Sequence, residues 1–231
     1  MSDITLLDGS IGQEIVHRAG DQPTPLWSAS VMIEKPGIVG DVHNDYFAAG
    51  ATIATTNTYT VLRDRLEPVG MLDKLPELLD CALSEAEAAL AKHGAGRIAG
   101  ALGPLMASYR PELCPPPEEA ERVYDELVRI MAPRVDLFSA ETMASVEQAE
   151  GAMRAAVKSG KPVWLSVTVD DDDGSKLRSG EGVGELARIV KDYQPDAVLV
   201  NCSRPEAVAA ARTLGASKAI AVSSMVSPSP L

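Results

Sequence analysis

Short apolar runs alternate along this chain with longer stretches in which apolar residues recur at helical spacing. The runs Ile4–Leu7, Ala51–Thr56, Arg97–Leu102, Val135–Ala140, Val163–Thr168, Ala197–Val200 and Ala219–Val222 are each bounded by polar residues or Gly. That pattern predicts parallel strands buried on both faces. Between them the spacing predicts helices over Pro36–Ala49, Leu72–Lys92, Pro117–Met131, Ser145–Lys158, Gly182–Tyr193 and Pro205–Leu214. Pro36 stands near the start of its helix and Gly50 follows the end, the usual asymmetry of helix termini. Ser145, with Gln148 three residues on, has the form of a capping box.

Strand then helix, repeated, implies a parallel sheet with right-handed crossovers. Such a sheet is either open and doubly wound or closed as a barrel. No GxGxxG follows the first run, which weakens a dinucleotide reading. Asp8, Asn57, Glu141 and the pair Asn201–Cys202 each fall at the C-terminal end of a predicted strand. In a barrel those ends converge on one mouth, so the expected fold is α/β, a (β/α)8 TIM-type barrel. Six firm strands and a weak seventh are read where eight are needed, so the barrel is expected to be incomplete at its C-terminus. Residues 1–217 form the expected barrel domain, and 218–231 a weak strand with a disordered or truncated tail.

Composition narrows the function more than the fold. The chain has 231 residues, 45% hydrophobic and 23% charged, enough for a real core. Its formal charge of -12, with no basic stripe, repels a phosphate backbone and argues against nucleic acid. Cys81, Cys114 and Cys202 are far apart with no CxxC pair, which argues for a reducing compartment. No basic and apolar leader opens the chain, and no run reaches the ~18 apolar residues of a membrane span. A soluble cytoplasmic protein is the expectation.

Each candidate residue also has a bland reading. Asp8-Gly9 is equally a turn, and Glu141 equally a helix cap, although two carboxylates at one mouth would suit an ammonium group. Cys202 is either a small buried residue or a ligand. Cys81 reads as core, and His17, His43 and His93 as isolated helix or surface residues. The run Asp170–Asp173 before Gly174 departs from the EF-hand spacing and reads as a solvated loop.

Leu6-Leu7-Asp8-Gly9-Ser10-Ile11-Gly12 resembles the opening of homocysteine S-methyltransferases. Pro25-Leu26-Trp27-Ser28-Ala29, His43 to Ala51, and Thr56-Asn57-Thr58-Tyr59 follow in the family's order. Gly100 to Pro104, Glu141-Thr142, Ser166-Val167-Thr168 and Val200 to Glu206 continue it. The resemblance runs from about residue 4 to about residue 215, and is strongest to the branch using S-methylmethionine or S-adenosylmethionine. It implies a (β/α)8 barrel that moves a methyl group from a sulfonium donor to the thiol of homocysteine, giving methionine. It further implies that Asp8 and Glu141 hold the amino group, Asn57 and Asn201 line the pocket, Trp27 lies on the donor side, and Cys202 is a zinc ligand.

One departure stands out. The family closes with Gly-Gly-Cys-Cys, whose cysteines complete the zinc site, and this sequence has no such motif. Two of three expected ligands are therefore absent, and a zinc site needs at least three protein ligands. Either the chain is truncated or altered near Lys218, or another polypeptide completes it, or it is no longer a zinc enzyme. The alternative to a methyltransferase is a non-catalytic partial barrel that binds an amino acid or a completing subunit. The unclosed edge also predicts self-association or a partner.

Overall fold

Strand and helix alternate along the chain much as the apolar pattern predicts. The protein is seen here as a computed structural model, which describes residues 5–21, 26–211 and 222–223. It divides into two compact units: Met1–Ala101 with Arg129–Phe138, and Leu102–Val128 with Ser139–Leu231.

The first unit opens with three helices, α1 (Ile11–Arg18), α2 (Ser28–Glu34) and α3 (Ile38–Ala48), then β1 (Ile53–Thr55), the short α4 (Arg63–Leu66), the long α5 (Leu75–His93) and β2 (Arg97–Leu102). β1 and β2 pair in parallel, Ile53 opposite Arg97 and Thr55 opposite Ala99. β3 (Leu137–Met143) begins in this unit, where the Asp136 amide donates to the Ile98 carbonyl at 2.9 Å. Helix α3 packs on α5 and α1, burying Val39, Val42 and Phe47 with Leu79, Ala82 and Leu83. Each of the Val, Leu and Phe side chains contributes about 1.5–3 kcal/mol by leaving water, and Ala82 less. Helix α5 stops where predicted: Gly94 takes φ +85° and its amide closes on Leu90, a turn that an L side chain resists.

The second unit holds α6 (Pro117–Met131, as far as Val128), the rest of β3, α7 (Val146–Ala156), β4 (Val163–Val167), α8 (Ala187–Tyr193), β5 (Ala197–Asn201), α9 (Pro205–Val208) and β6 (Val222–Ser223). Within it β3, β4, β5 and β6 lie side by side in that order. β4 and β5 are parallel with Trp164 opposite Ala197, and β5 meets β6 with Val200 opposite Val222. Helix α6 begins at the predicted Pro117, with Glu118 and Glu119 in its first turn facing the positive end of the helix dipole. The predicted cap of α7 is present in altered form. Ser145 Oγ accepts from the Gln148 amide at 3.1 Å, but Gln148 Oε1 reaches the Ala144 amide, one residue before the expected one. On the outer helices Glu150 accepts from Arg154 and Arg188, and Lys158 pairs with Glu121 and Asp125.

Three sequence expectations are modified. Thr5–Ser10 carries no regular strand, although the Leu6 carbonyl accepts from the Thr52 amide at 2.8 Å. The reason is local: the Thr55 amide bonds the Asp8 carboxylate, so a side chain takes the place of the next backbone ladder bond. Helices α1 and α2 were not expected from the pattern. The helix predicted from Gly182 starts with one 3-10 turn, Val183–Leu186, before α8. Of the predicted Ala219–Val222 strand, Val222 lies in β6 and 219–221 fall outside the described residues, as does 212–214 of the last helix.

Candidate functional site

Asp8 ends the opening segment in the first unit. It is 7% exposed, and its carboxylate accepts from the Thr55 amide and, at 2.7 Å, from the Thr55 hydroxyl. Among the described residues no Lys, Arg or His lies at ion-pair distance from it. Burial pushes its pKa up to about 7, against the lowering effect of the Thr55 bonds. Two other aspartates accept a strand amide in the same way, Asp136 from Ile98 and Asp196 from Val163, but these stand at strand starts. Asp8 meets the last residue of β1 instead, at the end where TIM-type folds carry chemistry.

The glycines beside Asp8 have a physical reason. A Cβ on Gly9 would lie 2.6 Å from the Tyr46 hydroxyl oxygen, and one on Gly12 would lie 2.3 Å from the Trp27 ring. The rings rest on bare backbone. Trp27 immediately precedes α2 and takes φ +51°, a conformation costly for a bulky side chain and one that clusters at functional sites. Its ring meets Tyr59 edge-on at 5.9 Å. Asn57, two residues past β1, is buried. It accepts from Ser28 Oγ at 2.6 Å and donates to the Ser28 carbonyl at 3.2 Å. Asp8, Trp27 and Asn57 thus all belong to the first unit.

In the second unit Glu141 lies within β3 and not past its end, half-buried, with Ser139 Oγ donating to it at 3.3 Å. Asn201 is the last residue of β5 and Cys202 follows it. Both Thr142 (φ +59°) and Cys202 (φ +50°) occupy the left-handed region. For a β-branched threonine this is a true outlier, held only if its surroundings over-determine it. They do: Asn201 Oδ1 accepts from the Thr142 amide at 3.1 Å, and Asn201 Nδ2 donates to Thr142 Oγ1 at 3.2 Å. Thr142 Oγ1 and Cys202 Sγ are 3.1 Å apart, and the Tyr109 hydroxyl also bonds the sulfur. Burial raises the Cys202 thiol to about 11, with Glu141 pushing the same way and the Thr142 bond opposing.

Thr142, Tyr109 and Thr55 were missed in the sequence because each is recruited by tertiary placement and none by spacing. Cys81 is half-buried on α5 with Glu85 as its bond partner. The Asp170–Asp173 loop is tied up by its own turns: Asp170 Oδ1 accepts from the Asp172 and Asp173 amides.

The strand–helix order and the strand-end residues define an α/β fold of the TIM-type barrel class. The chain belongs to the homocysteine S-methyltransferase family, whose model matches residues 5–229. It is 28% identical over 229 residues to homocysteine S-methyltransferase of Escherichia coli, covering 90% of this chain and 72% of that one. Homocysteine S-methyltransferase YbgG of Bacillus subtilis is 24% identical over 220 residues, covering 87% and 69%. Among solved structures, the metallated form of the E. coli homocysteine methyltransferase MmuM superposes with a TM-score of 0.80 at 26% identity, covering 91% of this chain and 78% of that one. No described helix is long and apolar enough to cross a membrane.

Proposed function

We propose that this chain binds homocysteine and serves transfer of a methyl group from a sulfonium donor to the homocysteine thiol. In that reaction the new S–CH3 bond forms as the donor's S–CH3 bond breaks. The thiol proton is released, and the products are methionine and a neutral thioether. The observation that carries the reading is Asp8, a buried carboxylate with hydroxyl and amide donors but no cation among the described residues. Such a group is stabilised by an incoming ammonium, which supplies the missing charge.

In the first unit Asp8 is read as the ammonium acceptor, Asn57 as a pocket residue, and Trp27 as the donor-side surface. In the second unit Glu141 and Asn201 are read as substrate-binding residues. S-methylmethionine or S-adenosylmethionine is the proposed donor, and the cytoplasm the proposed compartment.

Zinc at Cys202 is tested by the residues present. Among the described residues no three of His, Cys, Asp and Glu are grouped to hold a metal ion. The sulfur faces the hydroxyls of Thr142 and Tyr109. This donor set does not fit zinc, and no step is routed through it. That observation favours a second reading, in which the chain binds the amino acid without transferring a methyl group unless another polypeptide completes the site.

Titration calorimetry with L-homocysteine tests the binding. Asp8→Ala and Glu141→Ala should each lose about 1.5–3 kcal/mol, roughly tenfold to a hundredfold in affinity. Unchanged affinity in Asp8→Ala would sink the proposal. Methionine formation from homocysteine and S-methylmethionine then separates the two readings.

A further inference from the structure

The carbonyl of Cys202 is held by a residue from a different loop. Arg178 Nη2 donates to that carbonyl at 3.0 Å, and Arg178 Nε donates to Thr168 Oγ1 at 2.9 Å. Thr168 Oγ1 itself donates to the Cys202 carbonyl at 3.0 Å. The same guanidinium reaches Asp171 Oδ1 at 3.0 Å and lies 4.7 Å above the Tyr109 ring. Tyr109, also at positive φ (+63°), carries the hydroxyl that bonds the Cys202 sulfur. One planar cation therefore touches the backbone of Cys202 on one side and the ring that contacts its thiol on the other.

A left-handed Cys costs free energy unless its surroundings hold it. Its amino-side neighbour is held by Thr142 and its carboxyl-side neighbour by Val169, whose amide donates to Ser203 Oγ at 2.9 Å. The carbonyl between them depends on Arg178 and Thr168. Asp171 fixes the fork from behind and also accepts from the Arg204 amide at 3.1 Å, tying the acidic loop to the same turn. Lysine cannot reproduce this, because it lacks the flat, forked donors that bond and stack together.

We propose that Arg178 is a positioning residue that, with Tyr109 stacked beneath it, fixes where the Cys202 thiol points. The purpose of that positioning rests on the reading of Cys202 as part of the site. The geometry itself does not, and its test involves no substrate.

The test is the rate of alkylation of each cysteine by iodoacetamide in the full chain, resolved by mass spectrometry. Cys81 and Cys114 serve as internal references. Arg178→Ala should alkylate Cys202 about tenfold faster than wild type while the references keep their rates. Millimolar guanidinium, far below denaturing levels, should restore protection in Arg178→Ala, and ammonium at the same concentration should not. Should Arg178→Ala fail to fold, Arg178→Lys keeps the positive charge but not the flat fork, and should still speed Cys202 selectively. Equal Cys202 rates, a parallel rise at Cys81, or a missing guanidinium rescue would each overturn the assignment. Loss of the homocysteine proposal would leave these rates as they are.

Discussion

The two units keep their polar groups in opposite ways. In the first, Asp8 is buried with donors from Thr55 and its own backbone, and His43 on α3 is 1% exposed with neither ring nitrogen hydrogen-bonded among the described residues. In the second, Thr142, Asn201, Cys202, Ser203, Thr168 and Arg178 satisfy one another in a closed net. The first unit leaves His43 without a hydrogen bond and Asp8 without a cation among the described residues, whereas the left-handed Thr142 and Cys202 of the second are held by bonds. A group that lacks a partner is poised for a ligand. A residue over-determined by its neighbours is poised for accurate placement.

The largest expected effect comes from pH. Burial pushes Asp8 up to about 7 in the folded chain against an ordinary 3.8, so the folded state holds a proton that the unfolded state has lost. Its contribution is fully present below pH 3.8 and is lost as pH rises through about 7, on the order of 4 kcal/mol in all. Urea denaturation of wild type and Asp8→Asn between pH 4 and 8 should give curves that diverge by that amount. Parallel curves would show that Asp8 is not desolvated.

His43 works in the other direction and slightly less strongly. Burial lowers it from 6.5 to about 4, so the unfolded chain binds the proton first on acidification. Stability is intact above pH 6.5 and falls towards pH 4, by roughly 3 kcal/mol. His43→Leu should lose that acid sensitivity, measured by the same denaturation series. A slope unchanged in the variant would place the ring in water.

Steric tests sharpen the contrast. A Cβ on Gly174 in the second unit would lie 1.9 Å from the Ala207 carbonyl oxygen, backbone against backbone. Gly174→Ala should cost about 2–3 kcal/mol in thermal or urea unfolding. Gly12→Ala in the first unit meets first the Trp27 ring, a side chain and not backbone. It should cost less stability while shifting the Trp27 fluorescence. Equal losses would erase the difference between the units.

The smallest expected effect is at Thr142. Thr142→Gly and Thr142→Ala both lose the hydroxyl bonds, but only Gly is at ease at φ +59°. The glycine variant should be the more stable by about 1 kcal/mol.

Much of this was legible in the sequence, and for identifiable reasons. β1, β2 and β4 fall within the predicted runs, and β5 passes its run only by Asn201, because a parallel strand buried on both faces leaves an unbroken apolar signature. Helix α6 matches its predicted span because proline and acidic residues mark its start. The polar residues at strand ends also stood out, since Asp8, Asn57 and Asn201 each interrupt an apolar run, and in the fold each also bonds a neighbouring segment. The opening strand failed because Asp8 replaces a ladder bond, which no periodicity encodes. Helix α2 failed because it begins at a tryptophan in a left-handed conformation, with no capping side chain to announce it. Arg178 and Tyr109 sit in loops and gain meaning only through what folding brings beside them.

Asp8 has one more consequence, which concerns proton traffic. An ammonium ion can be held only by the ionised carboxylate, and below pH 7 most of the free protein carries the carboxylic acid. Ligand binding at pH 6 must therefore expel close to one proton to the buffer, and binding at pH 8 almost none. Apparent affinity should then fall about tenfold for each pH unit below 7. The heat measured at pH 6 should vary with the buffer's own ionisation enthalpy, and Asp8→Asn should abolish that variation. A carboxylate kept neutral by its surroundings would make ligand uptake a sensor of the acidity around the protein.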